Sequence, residues 1–470
     1  MAEKKPVVYD VKIKKAGSEM VIPENMTYDA AITELERRKK YEEEEVQIVE
    51  PINGFIYDAA IAFNKAMAKM FGWVSAESTP GFFGSKPPQL IAVPVSHNET
   101  IKVPWGRFSV PGITGYLQTQ TGYEDNRMIL NISAVVKRKH EETIKRLAQL
   151  TRDILHKESI FRSKPIQVTF RDEDGEELGL PTVKFMDLTS VNPEQLIFSR
   201  GLMQQIATNI FTPILKTKYC KMSSIPIKRG VLLAGKYGTG KTLAARVTAY
   251  HAITNGWTFI YISSPEELPN ALAMARDYEP AVIFSEDIDR VAGEDRDDMV
   301  NEILNTLDGI DSKNSQVMVV LTTNHVDRIN QAMFRPGRLD AVITVEPPDA
   351  EAAQRLVRLY GGKQIDEKED LTVVGEQLAG QIPAVIRECV ERSKLYAISL
   401  ASVEELEQCN GKPKLSSEAL LYSSSNMTHQ LALLNPPQKV AKTAATEIGE
   451  GMGREIGAAM RVIVPVNHSN

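Results

Sequence analysis

Apolar positions along this chain follow three successive rhythms. Up to about residue 185, short alternating runs are interleaved with amphipathic helical stretches. From about Asn192, continuous apolar runs alternate with helical patterns. After Pro348 the spacing is mostly helical, to about Leu434. In the first part Val7–Ile13 reads as a strand, and Thr27 is placed to cap a helix carrying Ile32 and Leu35. A second helix is predicted from Tyr57 to Phe71, with Ile61, Met67, Met70 and Phe71 available for one face. Between these helices, Glu42 to Glu45 read as a solvated helix end or loop. Leu90–Val95, Thr100–Phe108 and Met128–Val136 read as strands separated by turn residues. Lys137–Lys157 reads as a solvated amphipathic helix with Ile144, Leu147, Thr151, Ile154 and Leu155 at helical spacing. Ile166–Phe170 and Thr182–Met186 flank Asp174-Gly175, which predicts a hairpin. The string Tyr-Asp-Ala-Ala-Ile occurs at Tyr28 and again at Tyr57, but the neighbouring residues do not match, so no repeat is inferred.

The middle part carries the chemistry. Val231–Ala234 is an apolar run suited to a buried strand. Gly235-Lys236-Tyr237-Gly238-Thr239-Gly240-Lys241-Thr242 follows at once, then a helical stretch from Leu243 to Ala249. Strand, GxxxxGK[ST] and helix in that order make a phosphate-binding loop. The glycines let backbone N–H groups turn inward, and the positive helix end faces the same anion. Lys241 is expected to reach the β- and γ-phosphates, and Thr242 to ligate Mg²⁺ through its hydroxyl.

Two further apolar runs end in polar groups. Ala281–Phe284 leads into Ser285-Glu286-Asp287-Ile288-Asp289, and Val317–Leu321 into Thr322-Thr323-Asn324. Carboxylates at a strand end beside such a loop serve the metal shell and orient the attacking water. The Asn324 amide suits the γ-phosphate or that water. Phe334-Arg335-Pro336-Gly337-Arg338 presents two guanidinium groups, suited to stabilising charge on a neighbour's γ-phosphate.

These residues resemble the AAA ATPase family from about Gln195 to Leu434. The most specific stretches are GKYGTGKT, Leu304–Ile310 (LNTLDGI) and Thr322–Asp340. The resemblance implies that Asn324 is the sensor-1 residue and that Arg335 and Arg338 act in trans. It places Glu286 at the metal-shell position, Asp287 at the catalytic-base position, and Arg387, in Pro383-Ala384-Val385-Ile386-Arg387, at sensor 2. It also implies rings, usually hexameric and sometimes heptameric. The chain departs from the family pattern in having Lys236-Tyr237 where two prolines are usual, and Glu286-Asp287 where Asp-Glu is usual. It also has no glycine between Gly256 and Gly293, the interval that holds an aromatic–apolar–Gly pore loop in AAA unfoldases. Ser263–Asn270 reads as a short turn instead. The Glu-Asp order, the missing glycine and Ile225–Gly230 are similar to the branch containing the mitochondrial translocase of the folded Rieske iron–sulfur protein.

Composition narrows the class. The 470 residues are 43% hydrophobic and 25% charged, with a formal charge of −6, which disfavours a nucleic-acid coat protein. Three scattered cysteines with no CxxC predict neither a disulfide framework nor a zinc site, and suggest a reducing, cytoplasmic setting. No apolar run suggests a signal peptide or membrane span.

The expected architecture is an α+β recognition domain over residues 1–187, an α/β P-loop NTPase parallel-sheet domain over 188–348 and a helical lid over 349–434. A linker and tail complete the chain over 435–470. The expected activity is hydrolysis of ATP with Mg²⁺ in a homo-oligomeric ring that remodels or translocates a protein partner. The catalytic set is Glu286, Asp287, Asn324, Arg335 and Arg338. The nucleotide is held by Gly235, Lys236, Tyr237, Gly238, Thr239, Gly240, Lys241, Thr242, Leu243 and Arg387, and the metal by Thr242 and Glu286. A nucleotide-controlled assembly switch and a nucleic-acid-dependent ATPase are the alternatives.

Overall fold

The computed structural model describes residues 22, 25–81, 84–124, 127–172, 175–290, 315–326 and 338–434. The expected strand Val7–Ile13, the LNTLDGI stretch, Arg335 and the tail from Asn435 lie outside them. The chain divides into two compact units, one running to Pro347 and the other starting at Pro348.

The first unit opens with α1 (Tyr28–Glu42), whose Thr27 hydroxyl accepts from Ala30 N (3.4 Å), as its sequence predicts. It continues through β1 (Glu45–Ile52), α2 (Ile56–Phe71), β2 (Ser75–Glu77), β3 (Thr79–Gly81) and β4 (Gly84–Lys86). β5 (Gln89–Pro94) and β6 (Thr100–Trp105) follow, then β7 (Arg107–Ser109), β8 (Gly115–Glu124), β9 (Arg127–Lys137) and α3 (Glu141–Lys157). An antiparallel sheet in the order β1-β9-β8-β7-β2 buries one face under α2 and α3. α2 is buried almost all round, because Ala60 and Ile61 on its other side pack on the β5–β6 hairpin through Val93 and Val103. The acidic stretch read as a loop ends in β1, whose exposed and half-buried positions alternate along the strand.

The predicted hairpin is β10 (Pro165–Arg171) and β11 (Glu177–Phe185). It does not stay with the N-terminal sheet. β10 pairs in parallel with β13 (Thr258–Ile262), matching Ile166 to Ile260, so the hairpin extends the central sheet. Then come α4 (Arg200–Ile206), a π-turn, α5 (Thr212–Leu215), α6 (Thr217–Met222), β12 (Arg229–Ala234) and α7 (Lys241–Thr254). α8 (Leu268–Asp277), β14 (Ala281–Ser285), β15 (Val317–Thr323) and β16 (Ala341–Thr344) complete the unit. The sheet order is β11-β10-β13-β14-β15-β12-β16, and all but β11 run parallel to their neighbours.

Alternation explains the two covered faces. Leu232, Ile283, Val319 and Leu321 point into the core shared with α8. Val231, Leu233, Val282, Phe284, Met318 and Val320 point into the core shared with α7 and the helices before β12. Burial on both faces is why these strands read as continuous apolar runs.

The second unit is helical: α9 (Ala350–Gly361), α10 (Thr372–Leu378), α11 (Pro383–Leu400), α12 (Val403–Gln408) and α13 (Ser417–Leu434). Asp349 Oδ1 caps α9 by accepting from Ala352 N (2.8 Å), and Ser402 with Glu405 forms a capping box on α12. Leu356, Val357, Val374, Leu378, Ile386, Val390 and Leu420 are buried. Among the described residues no helix is long and apolar enough to cross a membrane.

Candidate functional site

The parallel order places β12 between β15 and β16, so the loop after β12 lies where strand order reverses, the usual ligand position in open α/β sheets. That loop is the phosphate-binding motif. Gly235 N donates to Thr323 O (3.1 Å), and a Cβ on Gly235 would run into the Val345 carbonyl oxygen. Thr239, 1% exposed, donates to Lys236 O (2.9 Å) and ties the loop across itself. Gly240 has φ +102°, open to glycine and strained for other residues, and turns the chain into α7. Lys236, Tyr237 and Gly238 are exposed on the outside of the turn, and Thr242 and Leu243 lie in the first turn of α7.

Lys241 is 8% exposed, and its ammonium donates to Gly235 O (2.5 Å), Lys236 O (2.9 Å) and Asn324 Oδ1 (2.8 Å). Burial lowers its pKa, against the pull of Asp287, Asp289 and Glu286. The Asn324 amide turns its other end to Asp287, Nδ2 donating to Oδ1 at 2.7 Å. A continuous bridge therefore runs from the phosphate loop through the end of β15 to the acidic pair after β14. Sequence reasoning singled out all three residues, from segments up to 83 positions apart, and the fold brings them together.

Asp287 holds φ +52°, a left-handed conformation that Asp tolerates better than most side chains, and its N–H donates to Thr322 Oγ1 (3.1 Å). Glu286 Oε1 is buried and has no hydrogen-bond partner. A carboxylate oxygen left that way at a strand end suits a cation or its water shell. Among the described residues no three His, Cys, Asp or Glu side chains form a self-contained metal cage. Mg²⁺ takes one or two protein ligands together with phosphate oxygens and water. Thr242 and Glu286 match the donors such an ion needs.

Asp289 was not singled out from sequence. Its Oδ1 accepts from Thr323 Oγ1 (2.7 Å) and from Asn324 N (3.1 Å). Burial raises its pKa, but these bonds and His325 carry it below the usual carboxylate value. Its signal was an acidic residue two places beyond the acidic pair.

The arginines lie elsewhere. Arg338 is at the opposite end of β12: a Cβ on Gly230 would meet its carbonyl oxygen, and Asp340 Oδ2 accepts from Gly230 N (2.9 Å). From Gly230 to Gly235 at ~3.3 Å per residue is ~17 Å, beyond one arginine side chain. Arg387, in the second unit, has its guanidinium over the Tyr360 ring, 4.7 Å from the centroid.

A phosphate loop at the switch point of a parallel sheet, with an acidic pair and an amide at the next two strand ends, defines a P-loop nucleoside triphosphatase fold. Residues 231–347 match the ATPase family associated with various cellular activities (AAA), and the chain carries an AAA-family ATPase domain. It is 29% identical over 245 residues to the 26S proteasome regulatory subunit 8 homolog of Schizosaccharomyces pombe, covering 46% of this chain and 60% of that one. It is 28% identical over 265 residues to the ATP-dependent zinc metalloprotease FtsH of Kosmotoga olearia, covering 51% and 38%. An Arabidopsis thaliana homolog of proteasome regulatory subunit 8, homolog B, is 29% identical over 46% of this chain and 57% of its own. The match thus spans about 60% or less of these curated relatives.

Proposed function

We propose that this chain is a Mg²⁺-dependent ATP hydrolase that works as a homo-oligomeric ring, hexameric by its resemblance, and moves or remodels a protein partner. The observation that carries the reading is the Lys241–Asn324–Asp287 bridge, at 2.8 and 2.7 Å, inside an AAA-family domain.

Residues 1–187 would take the partner, residues 349–434 would act as the lid, and residues 435–470 as linker and tail. Lys241 would exchange its carbonyl and amide partners for β- and γ-phosphate oxygens, beside the N-terminus of α7 and the turned-in loop N–H groups. Thr242 and Glu286 would hold Mg²⁺, which supplies neutralisation of phosphate charge. Asp287 would accept the proton of the attacking water while Asn324 orients that water. The water oxygen bonds to the γ-phosphorus as the β–γ bridging bond breaks, releasing ADP and phosphate. Arg338 lies at the far end of β12 from its own loop, which supports its use, with Arg335, on the neighbouring subunit's γ-phosphate. Arg387 would serve as the sensor-2 arginine that its resemblance implies.

The proteasomal and proteolytic names of the relatives support a protein partner. The route from β13 to α8 supports handling of a folded one, as in the Rieske-translocase branch. Only residues 263–267 join them, and Glu267, 2% exposed, accepts from Phe170 N (2.7 Å) and Arg171 N (3.2 Å). A turn pinned in this way is not a projecting threading loop.

The test is steady-state ATP turnover with nucleotide binding measured alongside, for the native chain, Lys241→Ala and Asp287→Asn. Lys241→Ala should lose binding, and Asp287→Asn should bind ATP while turnover falls ~10²–10⁴-fold. Turnover unchanged in Asp287→Asn overturns the assignment. A native ring that forms with ATP but barely hydrolyses it points to the assembly switch. Salt-sensitive stimulation by DNA points to the nucleic-acid-dependent reading.

A further inference from the structure

We infer that Asp289 is a positioning residue for hydrolysis: it holds the end of β15 so that the Asn324 amide stays beside Asp287, where it orients the attacking water. The inference rests on the ATPase reading above and adds to it a residue that the motif comparison did not select.

Asp289 lies in the short turn Ile288–Arg290, directly after the acidic pair. One of its oxygens takes two bonds from the neighbouring strand end, from the Thr323 hydroxyl at 2.7 Å and the Asn324 N–H at 3.1 Å. The Thr323 hydroxyl also accepts from His325 N (3.0 Å), so Asp289 fixes its orientation and through it the backbone on both sides of Asn324. Thr323 is fully buried, and its carbonyl accepts from Gly235 N (3.1 Å), so the same residue joins the acidic turn to the phosphate loop. Thr322, 1% exposed, makes the parallel tie to Asp287 N at 3.1 Å.

Two hydroxyls and one carboxylate thus lock the ends of β14 and β15 together around Asn324. Without the Asp289 bonds, the Asn324 N–H and the Thr323 hydroxyl lose their acceptor in a largely buried place. The Asn324 backbone is then free to rotate its amide away from the water that Asp287 must activate. Neither Asp289 nor Thr323 is among the residues placed on the nucleotide, so the defect should fall on turnover and not on affinity.

The test compares native chain, Asp289→Ala, Asp289→Asn and Thr323→Val by ATP turnover, nucleotide affinity and hydrogen–deuterium exchange of the segment 322–325. Asparagine keeps an acceptor of the same shape, alanine removes it, and valine removes the hydroxyl while keeping a β-branched strand residue. A small misplacement of a catalytic group costs about 10²-fold, so Asp289→Ala should lose ~10–100-fold in kcat with ATP affinity within about threefold of native. Asp289→Asn should stay within about threefold of native on both measures, and Thr323→Val should fall between. Amide exchange at 322–325 should rise in Asp289→Ala and not in Asp289→Asn. The inference is overturned if Asp289→Ala turns over like the native chain, if Asn and Ala lose equally, or if affinity and turnover fall together. A native chain that binds ATP without hydrolysing it refutes the ATPase reading alone. The exchange comparison then decides Asp289 separately, and equal exchange in all four chains overturns it.

Discussion

Asp58 should make stability fall as pH rises through the weakly acidic range, and Asp58→Asn should remove that fall. The residue sits on α2 at 1% exposure, where the N-terminal part meets the segment leading into β14. Its carboxylate accepts from Ser159 Oγ (2.5 Å) and Ile160 N (3.0 Å). The Tyr278 hydroxyl donates to it and accepts from Phe55 N (3.2 Å). Nearby Arg162 donates to Glu279 O (2.6 Å) and Asp277 O (2.8 Å) and adds its charge. Burial outweighs these partners and pushes the carboxyl from 3.8 up to about 6. Because the folded value is raised, between about pH 4 and 6 the native state keeps a proton that the unfolded chain has released. Stability from this group is therefore greatest below about pH 4, declines to about pH 6 and is level above it. A difference of ~2 pH units at ~1.4 kcal/mol each gives ~3 kcal/mol. Asparagine keeps the shape and an acceptor for Ile160 N–H while carrying no charge. In urea unfolding at about pH 4.5, 5.5 and 7, the variant should exceed the native chain by up to ~3 kcal/mol at the highest pH, with the gap closing at the lowest. Carboxylates with lowered pKa, such as Asp289, titrate alike in both chains and cancel in the difference. Parallel stability profiles for the two chains would refute the reasoning.

Two further outcomes are expected. Gly235→Ala should drive a methyl group into the Val345 carbonyl, lowering stability by ~1–3 kcal/mol and weakening ATP binding; an unchanged melting temperature and affinity would contradict the close approach. Among the cysteines, Cys389 is buried with its thiol pushed up to about 11, and Cys220 is also buried, whereas Cys409 is partly exposed. Alkylation of the native chain followed by mass spectrometry should therefore modify Cys409 first, and equal labelling of all three would contradict the burial.

The parts of this molecule legible in the sequence are those whose physics is local or doubly buried. β12, β14 and β15 read directly because both faces are covered and the runs are uninterrupted, and the glycine pattern between β12 and α7 admits few other folds. β1 was hidden because its exposed and half-buried alternation begins inside an acidic run. β8, rich in Gly, Thr and Gln, has little intrinsic strand signal and is held by its long pairing with β9. The allegiance of β10 to β13 joins residues more than 90 positions apart, which hydrophobic periodicity does not encode. Asn324 and Asp287 each stood just after a readable strand, and Lys241 closed the glycine loop that follows another. Asp289 stood in a turn, and only the register of β14 against β15 brings it to Thr323.

The proposed sharing of the ATPase site between subunits is tested most directly by turnover of mixed variants. Asp287→Asn and Arg338→Ala chains, each nearly inactive alone, are combined and allowed to reassemble. If a site takes Asp287 from one subunit and Arg338 from its neighbour, mixed rings contain intact sites and turnover returns in the mixture. If each chain carries its own complete site, or Arg338 plays no part in it, the mixture shows no more than the sum of the two chains measured apart.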